Sequence, residues 1–198
     1  MKRLPLFAAG LAAVVMTACI PPTGGNNPVV IGDSIVMGAQ LHGAMNRMPD
    51  AFIDADPGRG IYGKGIGTGR NGIDTVPSAL SHLTSAGGWL VVELGTNGLE
   101  TDPPEFYRAN IFDMLQAIPP GVCVAWVTVW NGRTSYTRSL SYAWNLAVRD
   151  QLIKWRSCYR VIDWYAEASY RVDLTGVDQV HPTTLGEMVL AELIDNAT

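Results

Sequence analysis

The sequence predicts one α/β domain of three layers, a five-stranded parallel sheet between two sets of helices. Three observations predict it. The chain has 198 residues, a length suited to one domain with a sizeable core. Short apolar runs alternate with segments of helical spacing along it. Strands separated by helices close into a parallel sheet covered on both faces, which is why such strands read as continuous apolar runs.

The elements follow in order. Residues 28–33 (PVVIGD) read as the first strand, and 35–48 as a helix. Residues 51–54 form the second strand, and 57–72, rich in Gly, a long loop. A helix over 73–85 leads to the third strand, 89–94 (WLVVEL), which Gly95 breaks. The helix over 103–118 has Pro in its first turn, where the missing N–H costs nothing. Residues 122–130 form the fourth strand, 140–156 a helix with apolar residues three and four apart, and 160–164 the fifth strand. Residues 184–197 close the chain as a helix with a Thr available as its N-cap. Neither an internal repeat nor a second domain is evident.

Composition excludes some functions. Hydrophobic residues make up 47% and charged residues 16%, a globular balance. The net charge is −4, and no basic stripe is present, so nucleic acid is not an expected partner. No His, Cys and carboxylate cluster has metal-ligand spacing, so neither metal nor cofactor is expected. Residues 67–72 fit G-x-G-x-x-G but do not follow a strand, which speaks against a dinucleotide site.

The N-terminus reads as a targeting segment. Lys2 and Arg3 precede an apolar stretch over 4–15, the layout of a signal peptide over 1–18. Ala18-Cys19 resembles a bacterial lipoprotein box, with Met16 where Leu is usual. That resemblance implies lipidation of Cys19 and attachment to a membrane surface without a spanning helix. Residues 19–28 read as a flexible tether, leaving 29–198 as the folded domain. An exported chain permits a disulfide. Cys123 and Cys158 each precede a strand, and sequence leaves open whether they are joined or are two buried thiols.

Ligands of parallel sheets bind beyond the carboxyl ends of the strands, so candidate residues are sought there. Ser34 ends the first strand in Gly32-Asp33-Ser34, at the start of a helix whose positive end and free N–H groups point the same way. A lone Ser at that place is usually only a helix cap. Asp178 and His181 are separated by two residues in the loop before the last helix, close enough for the carboxylate to orient the imidazole. Of the three His residues, His42 and His82 fall on predicted helices, and His181 alone lies in a loop at the expected end of the sheet. Asn97 follows the third strand, where its amide can donate to a developing oxyanion, although Asn also favours turns for its own reasons.

Taken together, GDSIVMGA, IDADPGR, VVELGTNG, VIDWY and VHPTTLG resemble the blocks of SGNH (GDSL-type) hydrolases. The matches spread over 29–191. They are most similar to the extracytoplasmic domains of bacterial cell-surface O-acetyltransferases. The resemblance implies a flavodoxin-like sheet, Ser34 as nucleophile, His181 as base and then acid, and Asp178 as its orienter. It implies an oxyanion hole from the Ser34 N–H, the Gly58 N–H and Asn97, with Gly58 the loosest alignment. It also implies an ester or acetylated glycan as substrate, with water or a sugar hydroxyl as acceptor. This chain lacks a multi-span acyltransferase part, so a transferase would need a separate membrane protein as acyl donor. A lipid or aryl-ester hydrolase and a catalytically silent, lipid-anchored glycan-binding module are the alternatives.

Beyond the fourth strand, Trp130, Arg133 and Tyr136 are candidates to line a glycan cleft, aromatic faces suiting sugar rings. Arg59 and Arg70 read as solvated loop charges that could meet an acidic substrate.

Overall fold

The computed structural model describes residues 27–83 and 88–198. The signal peptide, Cys19 and most of the tether lie outside the described residues. Five strands pair in parallel in the order β2-β1-β3-β4-β5. They are β1 (Val29–Gly32), β2 (Phe52–Ala55), β3 (Trp89–Glu93), β4 (Cys123–Val127) and β5 (Tyr159–Ile162). The helices are α1 (Ser34–Leu41), α2 (Gly72–Leu80), α3 (Tyr107–Ala117), α4 (Ser135–Trp155), α5 (Trp164–Tyr170) and α6 (Thr184–Ala197).

The pleat sorts the strands onto two cores. Leu90, Val92, Val124 and Trp126 face one way, onto Ile111 and Met114 of α3 and Trp144 and Val148 of α4. Trp89, Val91, Ala125 and Val127 face the other way, onto Val36 of α1, Trp164 of α5 and Leu190 and Ile194 of α6. The predicted three layers are therefore present, with α2, α3 and α4 on one face and α1, α5 and α6 on the other.

Several boundaries differ from the sequence expectation. The single helix expected over 35–48 is α1 followed by a 3-10 turn at Ala44–Arg47. Gly43, with φ +82°, stands just past the end of α1 in the left-handed conformation that stops helices. The fourth strand ends at Val127, not at residue 130. Val129 stays buried, but both its backbone groups bond the Asn145 side chain instead of a neighbouring strand. Helix α4 begins five residues earlier than expected, because Thr134 and Thr137 form a reciprocal cap. The run 160–164 is not all strand: Asp163 accepts from the Ala166 N–H and caps α5, a helix the apolar pattern concealed.

Cys123, first residue of β4, is bonded to Cys158, just before β5. The bridge lies at the amino ends of these strands, opposite the end where Ser34 sits.

Candidate active site

Ser34 is placed by a strand-to-helix turn. Asp33 is the N-cap of α1, and its Oδ1 accepts from the Ile35 N–H at 2.9 Å. Ser34 is the first helical residue, half-buried, with its hydroxyl toward the last turn before α6. Its Oγ lies 3.1 Å from His181 Nε2, across 147 positions of sequence. His181 Nδ1 lies 2.6 Å from Asp178 Oδ2. The other oxygen of Asp178 accepts the backbone N–H groups of Val180 and His181 at 3.0 and 3.1 Å.

These distances fix the direction of the protons. Burial opposes ionisation of Asp178, but the bonds from the His181 ring and from the Val180 and His181 backbones outweigh it and hold its carboxyl below the usual range. An ionised carboxylate can only accept, so His181 Nδ1 is the donor of that bond, and in the neutral imidazole this leaves the lone pair on Nε2, toward the Ser34 hydroxyl. The other two His residues are engaged elsewhere. His42 Nδ1 pairs with Glu187 at 2.8 Å. The ring of His82 stacks on Phe52 at 3.5 Å.

Ser34 and His181 open into a cleft of about 170 Å³. Asn97, Glu100, Asn131 and Arg133 also line it, so its walls are predominantly polar. Asn97 Nδ2 donates to Asp33 Oδ2 at 2.9 Å and to the Arg59 carbonyl at 3.1 Å. Donation to an oxyanion in the cleft would draw on the longer of these bonds. Gly58, with φ +75°, does not line this cleft; it lines an adjoining hollow of about 70 Å³, which Asn97 also borders.

The three residues expected to line a glycan cleft separate. Arg133 lines it and lies 3.6 Å from Glu100. Trp130 does not: it is 7% exposed and packs edge-on against Tyr165. Tyr136, in the first turn of α4, is exposed outside the cleft. Arg59 is not a solvated charge either. It is fully buried, bonding the Asp54 carboxylate at 2.8 Å and the Asp54 and Gly32 carbonyls. Arg70 pairs with the same Asp54 at 2.7 Å. Two acidic residues sequence reasoning passed over, Asp33 and Glu93, are buried beneath Ser34. Their signal was an acid inside an otherwise apolar strand at Glu93 and an acid beside the candidate nucleophile at Asp33.

No family model and no curated protein matches the sequence. Solved structures do match. The C-terminal catalytic domain of peptidoglycan O-acetyltransferase A from Streptococcus pneumoniae superposes with a TM-score of 0.67 at 20% identity, over 87% of this chain and 92% of that one. A member of the lipolytic G-D-S-L family from Veillonella parvula gives 0.64 at 13% identity, over 86% and 96%. The chain has the SGNH hydrolase fold. Est24, a carbohydrate acetylesterase from Sinorhizobium meliloti, shares it with a TM-score of 0.60 at 15% identity, over 86% and 97%. At these identities the likeness is one of fold. Within the SGNH fold, Ser34, Asp178 and His181 stand at the carboxyl end of β1 and in the loop that enters α6.

Proposed function

We propose that this SGNH-fold chain is an exported serine esterase or acyltransferase acting on O-acetyl groups of cell-surface glycans. The observation that carries the reading is the contact chain from Ser34 through His181 to Asp178, at 3.1 and 2.6 Å. Ser34 Oγ attacks the ester carbonyl carbon while its proton passes to His181 Nε2. The tetrahedral oxyanion takes hydrogen bonds from the Ser34 N–H and from Asn97, whose longer bond to the Arg59 carbonyl yields to it, while Gly58, expected as a third donor, lines the adjoining hollow instead. Collapse breaks the ester C–O bond, and the leaving alcohol takes the proton from His181. Water, or a sugar hydroxyl, then gives up a proton to His181 and attacks the acyl-enzyme, releasing Ser34 with its proton restored. Asp178 keeps the imidazole oriented and offsets its transient charge.

The cleft supports the substrate class. At about 170 Å³ with polar walls it suits a short acyl group on a polar alcohol, and it offers no deep apolar pocket for a long chain. The Cys123–Cys158 bond supports export, since disulfides persist in oxidising compartments. Asn27 and Pro28 lead into the amino end of β1, opposite the cleft. Lipid at Cys19 would tether the domain to a membrane surface from that end. A separate membrane protein would supply acetyl groups if the enzyme transfers them.

The test is acetyl release from an activated acetyl ester, wild type beside Ser34→Ala, with and without a chito-oligosaccharide acceptor. The expected loss in Ser34→Ala is at least about 10⁴-fold in kcat. Acetate diverted into acetylated sugar identifies a transferase, and free acetate alone an esterase. A folded Ser34→Ala protein with undiminished turnover would end the proposal.

A further inference from the structure

Helix α1 begins with four N–H groups that its own turns cannot satisfy. Two buried carboxyl groups take three of them. Asp33 Oδ1 accepts from Ile35. Glu93 Oε2 accepts from Asp33 at 3.4 Å, and the same carboxyl group takes the Val36 N–H. The Ser34 N–H is thus the first-turn donor that these two carboxyl groups leave over, on a residue that lines the cleft. Glu93 reaches this place because β1 and β3 pair Gly32 with Glu93, one residue before Asp33. Asp33 and Glu93 are 0% and 1% exposed, and their carboxyl groups hydrogen-bond each other.

Two carboxyl groups this close and this buried cannot both ionise, so they share one proton. Asp33 has the better partners for a charge: the Ile35 N–H, the Asn97 amide and the nearby Arg59. Burial raises Asp33 to about 6, and burial together with the Asp33 charge raises Glu93 well beyond the ordinary range. Both directions put the proton on Glu93 and the charge on Asp33 at neutral pH.

We infer that Glu93 is a positioning residue for catalysis, a proton-bearing acid that holds the Asp33 carboxylate and, through it, both the Asn97 amide and the start of α1 that presents Ser34. This rests on the serine-enzyme reading above. Glu93 does not touch the cleft, so it acts on kcat and leaves substrate binding alone.

The experiment uses the full chain in detergent with 4-nitrophenyl acetate, comparing wild type, Ser34→Ala, Glu93→Leu and Glu93→Gln. Gln mimics the protonated acid, because it donates to Asp33 and accepts from the α1 backbone. Leu does neither. Glu93→Leu should lose about 10- to 100-fold in kcat, a fraction of the cost of deleting an oxyanion donor, with KM changed less than about twofold. Glu93→Gln should restore kcat to within about fivefold of wild type. The charged groups facing the pair are Arg59, from the loop after β2, and His181, from the loop before α6. Both remain in every variant, so any difference in acid limb between the Leu and Gln proteins belongs to Asp33. Without its donor Asp33 binds protons more tightly, and the acid limb of kcat in Glu93→Leu should lie at higher pH. Should Glu93→Leu fail to fold, Glu93→Asp, which withdraws the carboxyl by one methylene, takes its place with the same outcomes.

If Ser34→Ala is inert while the Leu (or Asp) variant keeps full kcat, the inference is overturned and the serine mechanism stands. It is equally overturned if folded Glu93→Gln falls as far as Glu93→Leu, or if the two share one acid limb. If Ser34→Ala keeps its turnover, the mechanism fails and the inference with it.

Discussion

The Gly132 N–H donates to the Gln179 carbonyl at 2.8 Å, tying the segment after β4 to the turn that carries Asp178 and His181. Gln179 sits in that turn with φ +54°, the one positive φ among the described non-glycine residues. Such a conformation costs roughly 1–2 kcal/mol and persists only where surroundings enforce it. A Cβ at position 132 would meet the Trp130 ring at 2.8 Å, and Trp130 is held against Tyr165. Gly132→Ala should therefore push the turn away. We expect a loss of about 1–3 kcal/mol in urea unfolding. We also expect kcat to fall about tenfold or more, since small misplacements of a catalytic group are costly. A folded variant with wild-type kcat would show that this tie does not position His181.

Arg59 fastens the loop after β2 from inside. Its guanidinium is fully buried against Asp54, with Asp56 3.8 Å away. Replacing it by Met keeps most of the volume but strips a buried carboxylate of its partner, which costs about 3–5 kcal/mol. Arg70 also pairs with Asp54, so the lower end of that range is expected. Arg59→Lys should recover little, because one ammonium cannot replace the fork that reaches the Asp54 carboxylate and two carbonyls together. Urea midpoints of the three proteins decide it: equal midpoints for wild type and the Met variant would contradict this account.

Asp33 should leave a signature in the pH dependence of stability. Burial raises its folded pKa to about 6 from 3.8, so the folded chain binds a proton that the unfolded chain releases. Its contribution is complete below 3.8 and is lost as pH rises through about 6. Asn at this position still caps α1 but does not titrate. Across that window, wild type should lose on the order of 1–3 kcal/mol relative to Asp33→Asn. Thermal unfolding of both proteins at a series of pH values measures the difference, and parallel curves would refute the assignment. Activity of Asp33→Asn should fall, because its one amide oxygen caps α1 and the amide nitrogen left in place of Oδ2 cannot accept from Asn97.

The Cys123–Cys158 bond closes a loop of separation 35. Replacing both residues by Ser should cost about 3–4 kcal/mol through the entropy returned to the unfolded chain. The bridge lies at the opposite end of β4 and β5 from Ser34, so kcat of the folded protein should be unchanged. A large drop in kcat at temperatures where the variant remains folded would mean that the bridge reaches the site.

Much of this architecture was legible in the chain. Continuous apolar runs announced the three central strands, β1, β3 and β4, because a strand covered on both faces has no polar side to alternate, whereas the edge strands β2 and β5 are only partly buried and mix polar residues in. The placement of Ser34, Asn97, Asp178 and His181 followed from where those strands end. Boundaries were less legible where side chains replaced the ladder or capped a helix, as Asn145 does for Val129 and Asp163 does for α5. The pattern of apolar residues continues through such points, so it carries no mark of them.

By itself, then, the sequence determined the layers, the candidate triad and the end of the sheet where it sits, since periodicity and order along the chain are local properties. Tertiary structure alone decided which charges are buried. Arg59 and Arg133 look alike in loops of polar and glycine residues, yet one is sealed against Asp54 and the other opens on the cleft. Glu93 reads as an oddity in an apolar strand until strand pairing sets it beside Asp33. Burial and partnership are properties of the space between elements, and only the packed fold defines that space.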